Sequence, residues 1–136
     1  MVKAVYVGRH RLLPAQSRAL EELGVEIVRN VENLPTEPAQ LNTLISQLKA
    51  EGVEAVVTIA LPPHLLAALS SKFRTFVFEM RSATVSSISE AEEFVRQDPT
   101  KRTFLPGRPG EPIRVLEFVS INEVKVVIES KQVWPR

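Results

Sequence analysis

The sequence predicts an α/β fold, with a mainly parallel sheet, helices on both faces and an antiparallel pair at one edge. Two observations carry that prediction. Short β-rich apolar runs alternate four times with segments of helical periodicity, starting at Val2, and such alternation builds parallel strands joined by crossover helices. The last third breaks the rhythm with a Pro-rich stretch and then two successive β-rich runs, the pattern of a hairpin.

Each element follows from local composition. Val2 to Val7 is apolar throughout except for Lys3, as a strand buried on both faces requires. Pro14 suits the first turn of a helix whose stripe is Ala19, Leu20 and Leu23 and whose end is Gly24. Val25 to Val28 makes a short second strand. Thr36 and Pro38 open a second helix, in which Leu41, Leu44, Ile45 and Leu48 fall at i, i+3, i+4 and i+7 before Gly52 stops it.

Val53 to Ala60 is the third strand, broken at Pro62-Pro63 and followed by a short helix with Leu65, Leu66 and Leu69. Phe73 to Met80 is the fourth strand. Ser89 and Glu92 have capping-box spacing for a fourth helix carrying Phe94 and Val95. Residues 98–112 hold four prolines and two glycines and predict an irregular loop. Beyond it, two β-rich runs split at Asn122-Glu123 predict a terminal hairpin over 113–130. The whole chain, 1–136, reads as one small Rossmann-like domain.

Composition narrows the function. At 136 residues, 44% hydrophobic and 24% charged, the chain can bury a core without metals or disulfides. Cysteine is absent, which removes zinc-thiolate sites and thiol catalysis. No apolar run approaches the roughly 18 residues of a membrane span, and the first residues lack a charged-then-apolar leader, so no membrane partner and a cytoplasmic location are expected. A net charge of +1 argues against an extended duplex-binding face but allows a local cationic pocket.

Ligands of open parallel sheets bind beyond the carboxyl ends of the strands. Gly8, Arg9, His10 and Arg11 follow strand one, and "MRSATVSS", with Arg81, Ser82 and Thr84, follows strand four. Guanidinium, imidazole and hydroxyl groups without carboxylates suit a phosphate-rich ligand. The chain has no G-x-G-x-x-G, no G-K-[ST] and no G-x-S-x-G, so a dinucleotide glycine turn, a P-loop and a nucleophile elbow are all excluded. Only two histidines are present, with no carboxylate cluster beside them in the sequence, so neither a metal nor another cofactor is expected.

Gly8-Arg9-His10, "LLPAQSRALEELGVEIV", "TIALPPHLLAAL", "EMRSAT" and the closing β-rich runs together resemble, in layout, the small CRISPR-associated Rossmann-fold proteins of the ring-nuclease type. That resemblance implies a homodimer binding a cyclic oligoadenylate, with or without metal-independent cleavage. On it, Arg81 and Arg9 would hold the phosphate, Ser82 and Thr84 the ribose, and His10 would act as general acid or base, with Arg81 and His10 the catalytic pair. Two other readings stand beside the enzyme. One is a non-enzymatic nucleotide sensor or sequestering module. The other is a dimerising structural protein without a small ligand, with its β-rich edge and Trp134 as the contact.

Overall fold

The structure, a computed structural model, describes residues 1–135. Its elements are β1 (Val2–Val7), α1 (Pro14–Glu22), β2 (Val25–Val31), α2 (Pro38–Ala50), β3 (Ala55–Thr58), α3 (Pro63–Ser70), β4 (Arg74–Val85), α4 (Ile88–Gln97), β5 (Arg102–Leu105) and β6 (Ile113–Glu123). A six-stranded sheet runs in the order β2-β1-β3-β4-β6-β5. The first four strands pair in parallel, whereas β6 is antiparallel to both β4 and β5. The fold is therefore α/β on a mixed sheet, with its antiparallel part at one edge.

Side-chain alternation along β1 divides the core in two. Val5 and Val7 pack with Leu41, Ile45 and Leu48 of α2 and with Leu65 and Leu69 of α3. Ala4 and Tyr6 face the other side, where Leu20 of α1 meets Phe76, Phe78 and Phe118. The chain leaves β1 in one direction, to β2, and later crosses to β3 on the other flank. A crevice must open where those directions diverge, beyond the carboxyl ends of β1 and β3. Thr58, 1% exposed, ties these ends together by donating its hydroxyl hydrogen to the Val7 carbonyl at 2.9 Å.

Four sequence expectations need correction. The terminal hairpin over 113–130 does not form. Asn122 and Glu123 lie in β6, opposite Val77 and Phe76, and none of the described non-glycine residues has the positive φ that a two-residue hairpin turn demands. The hairpin is instead β5–β6, because Arg102–Leu105, inside the expected irregular loop, pairs with β6. β4 runs five residues beyond Met80, to Val85, because β6 satisfies its backbone through the polar stretch. Finally, α4 is capped two residues earlier than the spacing suggested. Ser87 Oγ accepts from Glu90 N at 3.2 Å, and the Glu90 carboxylate accepts in return from Ser86 N.

After Glu123 the backbone continues through Val124 N donating to Thr75 O and Val126 N to Ser70 Oγ. Val127, Ile128, Val133 and Trp134 then stand exposed. No helix among the described residues is long and apolar enough to cross a membrane.

Candidate functional site

Gly8 ends β1 with its backbone close against the Tyr6 side chain. A Cβ there would lie 3.0 Å from the Tyr6 hydroxyl and 3.2 Å from its ring carbon Cζ. The chain then turns outward through exposed Arg9, His10 and Arg11 and comes back through Leu12 and Leu13, which pack on the α1-side core. Arg9 is pinned, with its Nε and Nη2 both donating to Asn33 Oδ1 at 3.2 and 2.8 Å. Pro14 starts α1, and Gln16 accepts from Leu13 N at 2.7 Å, half of a capping box. The Ala15 amide donates to Thr100 O at 3.0 Å, fastening the returning turn to the segment before β5.

Between this turn and the β4–β6–β5 ribbon lies a cavity of about 570 Å³. That volume suits a small organic ligand. Leu12, Leu13, Ile59, Met80, Leu105 and Leu116 give it apolar walls, and Ser82 and Thr103 add hydroxyl groups. Exposed His10, Arg11 and Arg114 stand around it, and none of the described residues lining it is acidic. Gln16, 1% exposed, offers a carboxamide NH₂ whose only described acceptor is the Met80 sulfur at 3.5 Å. An apolar body carrying an anionic group matches this lining: the walls desolvate the body while the guanidinium forks hold the charge.

The residues singled out from sequence are only partly brought together. His10 and Ser82 share the cavity. Gly8 and Arg9 flank it on the β2 side of the turn. Arg81 lies on the opposite face of β4, since neighbouring strand residues point to opposite faces. There it lines a hollow of about 160 Å³ beside α4, with Arg102, Phe94 and Glu117. Its Nη1 is 3.9 Å from Glu117 Oε1, while Arg102 Nε holds the same carboxylate at 2.6 Å. Thr84 borders a larger depression of about 670 Å³ near α4. That depression includes Glu90 and Glu111 and is open and polar, which makes it a poor place for an anion. Among the described residues, no group of three or more histidine, cysteine, aspartate or glutamate side chains could hold a metal.

Sequence reading left Gln16, Thr103 and Arg114 outside the site. Arg114 was detectable: within the β-rich run that starts at Ile113 it shares a face with Leu116 and Phe118. Gln16 and Thr103 gave no such signal.

Tyr6 has the one buried side-chain polar atom without a hydrogen-bond partner among the described residues, its hydroxyl oxygen. An orphaned buried hydroxyl costs about 1–3 kcal/mol. Tyr6→Phe is therefore expected to stabilise the protein by about 1 kcal/mol in urea unfolding, and a loss of stability would show that the hydroxyl has a partner. Burial also pushes the Tyr6 phenol up from its ordinary value of 10.0. Folding favours its neutral form, so this contribution is complete below that value and is lost as pH rises through the higher native one. Tyr6 is the only tyrosine, so phenolate absorbance in an alkaline titration reports it alone.

No family model matches the chain, and neither does any curated protein or solved structure.

Proposed function

We propose that the chain binds a small anionic ligand of the nucleotide class in the cavity between the β1 turn and the β4–β6–β5 ribbon. The observation that carries this reading is the pairing of apolar walls with two guanidinium side chains, Arg11 and Arg114, and the imidazole of His10, on a lining free of acids among the described residues. A base or comparable flat body would occupy the apolar part, and its phosphate would meet the guanidinium groups. The position at the divergence of β1 and β3 is the expected ligand position of a Rossmann-like sheet. The layout resemblance to CRISPR-associated Rossmann-fold proteins makes cyclic oligoadenylates the first candidates.

Binding rather than cleavage is the activity this geometry favours. No described side chain hydrogen-bonds to His10 to orient it as an acid or base, whereas the elements of a binding pocket are all present. Calorimetric titration with adenosine 5′-monophosphate and a series of cyclic oligoadenylates in chelator, followed by chromatography of the mixtures, tests both statements. Saturable binding with intact ligand is expected. Absence of binding across the series rejects the nucleotide reading, and metal-free cleavage products reject the restriction to binding.

A further inference from the structure

A second hollow, of about 500 Å³, lies on the other side of the β1 turn, between the ends of β1 and β2. It shares His10, Arg11 and Leu12 with the cavity, so the turn is a common wall. Arg9 lines it from the turn and Glu32 from the end of β2. Two guanidinium groups therefore face one carboxylate, and the hollow keeps a net positive charge.

Arg9 is held in place without being neutralised. Both of its hydrogen bonds go to the side-chain oxygen of Asn33, a neutral amide. Neither Arg9 nor Arg11 forms an ion pair with any described residue. A guanidinium has five N–H donors, so both Nη1 hydrogens and one on Nη2 stay free for an incoming oxygen. A fork fixed in advance loses less side-chain entropy on binding than a mobile one. Ser17 and Asn30, exposed in the same lining, add neutral donors. This set suits a phosphate, whose charged oxygens accept several hydrogen bonds at once.

Resting on the nucleotide reading of the cavity, we infer that the hollow between β1 and β2 is a second phosphate subsite, so that the preferred ligand carries two linked phosphates, one on each side of the β1 turn with Arg11 between them. A mononucleotide fills only the cavity. A second phosphate tethered to it reaches Arg9 at the advantage of an intramolecular step. The tether is either a pyrophosphate bridge or an intervening nucleoside, and both present the same chemistry to Arg9.

Calorimetry with adenosine 5′-monophosphate, adenosine 5′-diphosphate and 5′-phosphoadenylyl-(3′→5′)-adenosine, on the wild type, Arg9→Ala and Arg18→Ala, tests the inference. At least one two-phosphate probe is expected to bind the wild type about tenfold or more tightly than the monophosphate, as one added charge-assisted contact provides. Which probe gains identifies the tether. In Arg9→Ala that gain should fall to about twofold or less. Arg18 is exposed on α1 and belongs to neither lining, so Arg18→Ala removes the same charge and should keep the gain. A wild type without the gain overturns the assignment, as does a gain that survives in Arg9→Ala. So does an equal loss in Arg18→Ala, which would mean diffuse attraction rather than a site. Failure of all three probes to bind the wild type is a different outcome: it removes the nucleotide reading itself, and the subsite with it.

Discussion

Phe78→Ala is expected to destabilise the protein by about 3–5 kcal/mol. Phe78 is 2% exposed, and its ring meets Phe118 edge-on, with centroids 5.6 Å apart at 88°. Such a pair adds about 0.5–1.5 kcal/mol to burial alone. The residue lies where the parallel and antiparallel parts of the sheet join, opposite Ile121. Truncation leaves a void that strand backbones on either side cannot close. Against a typical total of about 5–15 kcal/mol, the variant should melt far earlier in a urea or thermal titration. A cost below about 1 kcal/mol would mean that this join is not part of the cooperative core.

The second large effect concerns ligand affinity. Arg11→Ala combined with Arg114→Ala should weaken nucleotide binding at least about a hundredfold, since each charge-assisted phosphate contact contributes roughly 1.5–3 kcal/mol. Neither guanidinium has an ion-pair partner among the described residues, and both are exposed. Stability should therefore change by only about 0.5 kcal/mol. Arg81→Ala is the control. It faces α4 and Glu117 rather than the cavity, so its affinity should match the wild type. A drop in affinity for Arg81→Ala with none for the double variant would place the anion on the α4 face and reject the cavity.

The parallel half of the fold was legible in the sequence because buried strands and amphipathic helices write their periodicity into side chains. β1 and the stripe of α2 are examples: Val2–Val7 agrees to the residue, and Leu41, Ile45 and Leu48 are all buried. An antiparallel pair at one edge was legible too, but its strands and partners were not, because that pairing is carried by backbone. Arg81 to Thr84 is exposed and polar apart from Ala83, yet it stays extended because Leu116 and its neighbours supply the ladder. Arg102–Leu105 is only four residues long, between prolines at 99 and 106, too short to show alternation.

Half of the candidate site was likewise visible. The His10–Arg11 turn stands out as charge at the end of an apolar strand. The face on which Arg81 emerges, by contrast, depends on register: a one-residue difference sends a side chain to the opposite side of the sheet. Arg114 joins the site only through a pairing between β4 and a strand about 30 residues later in the chain, with Thr84 opposite it.

The fit of Gly8 against the Tyr6 ring constrains the routes by which this sequence can change. A side chain at position 8 presses on both the hydroxyl and the ring of residue 6, so removing the hydroxyl alone does not relieve the contact. The ring must give by a few tenths of an ångström to admit even a methyl group, and a smaller residue 6 removes that demand. The two positions are therefore coupled and their substitutions non-additive. A descendant with a bulkier turn, and so a differently shaped pocket, reaches it most easily by first giving up its only tyrosine.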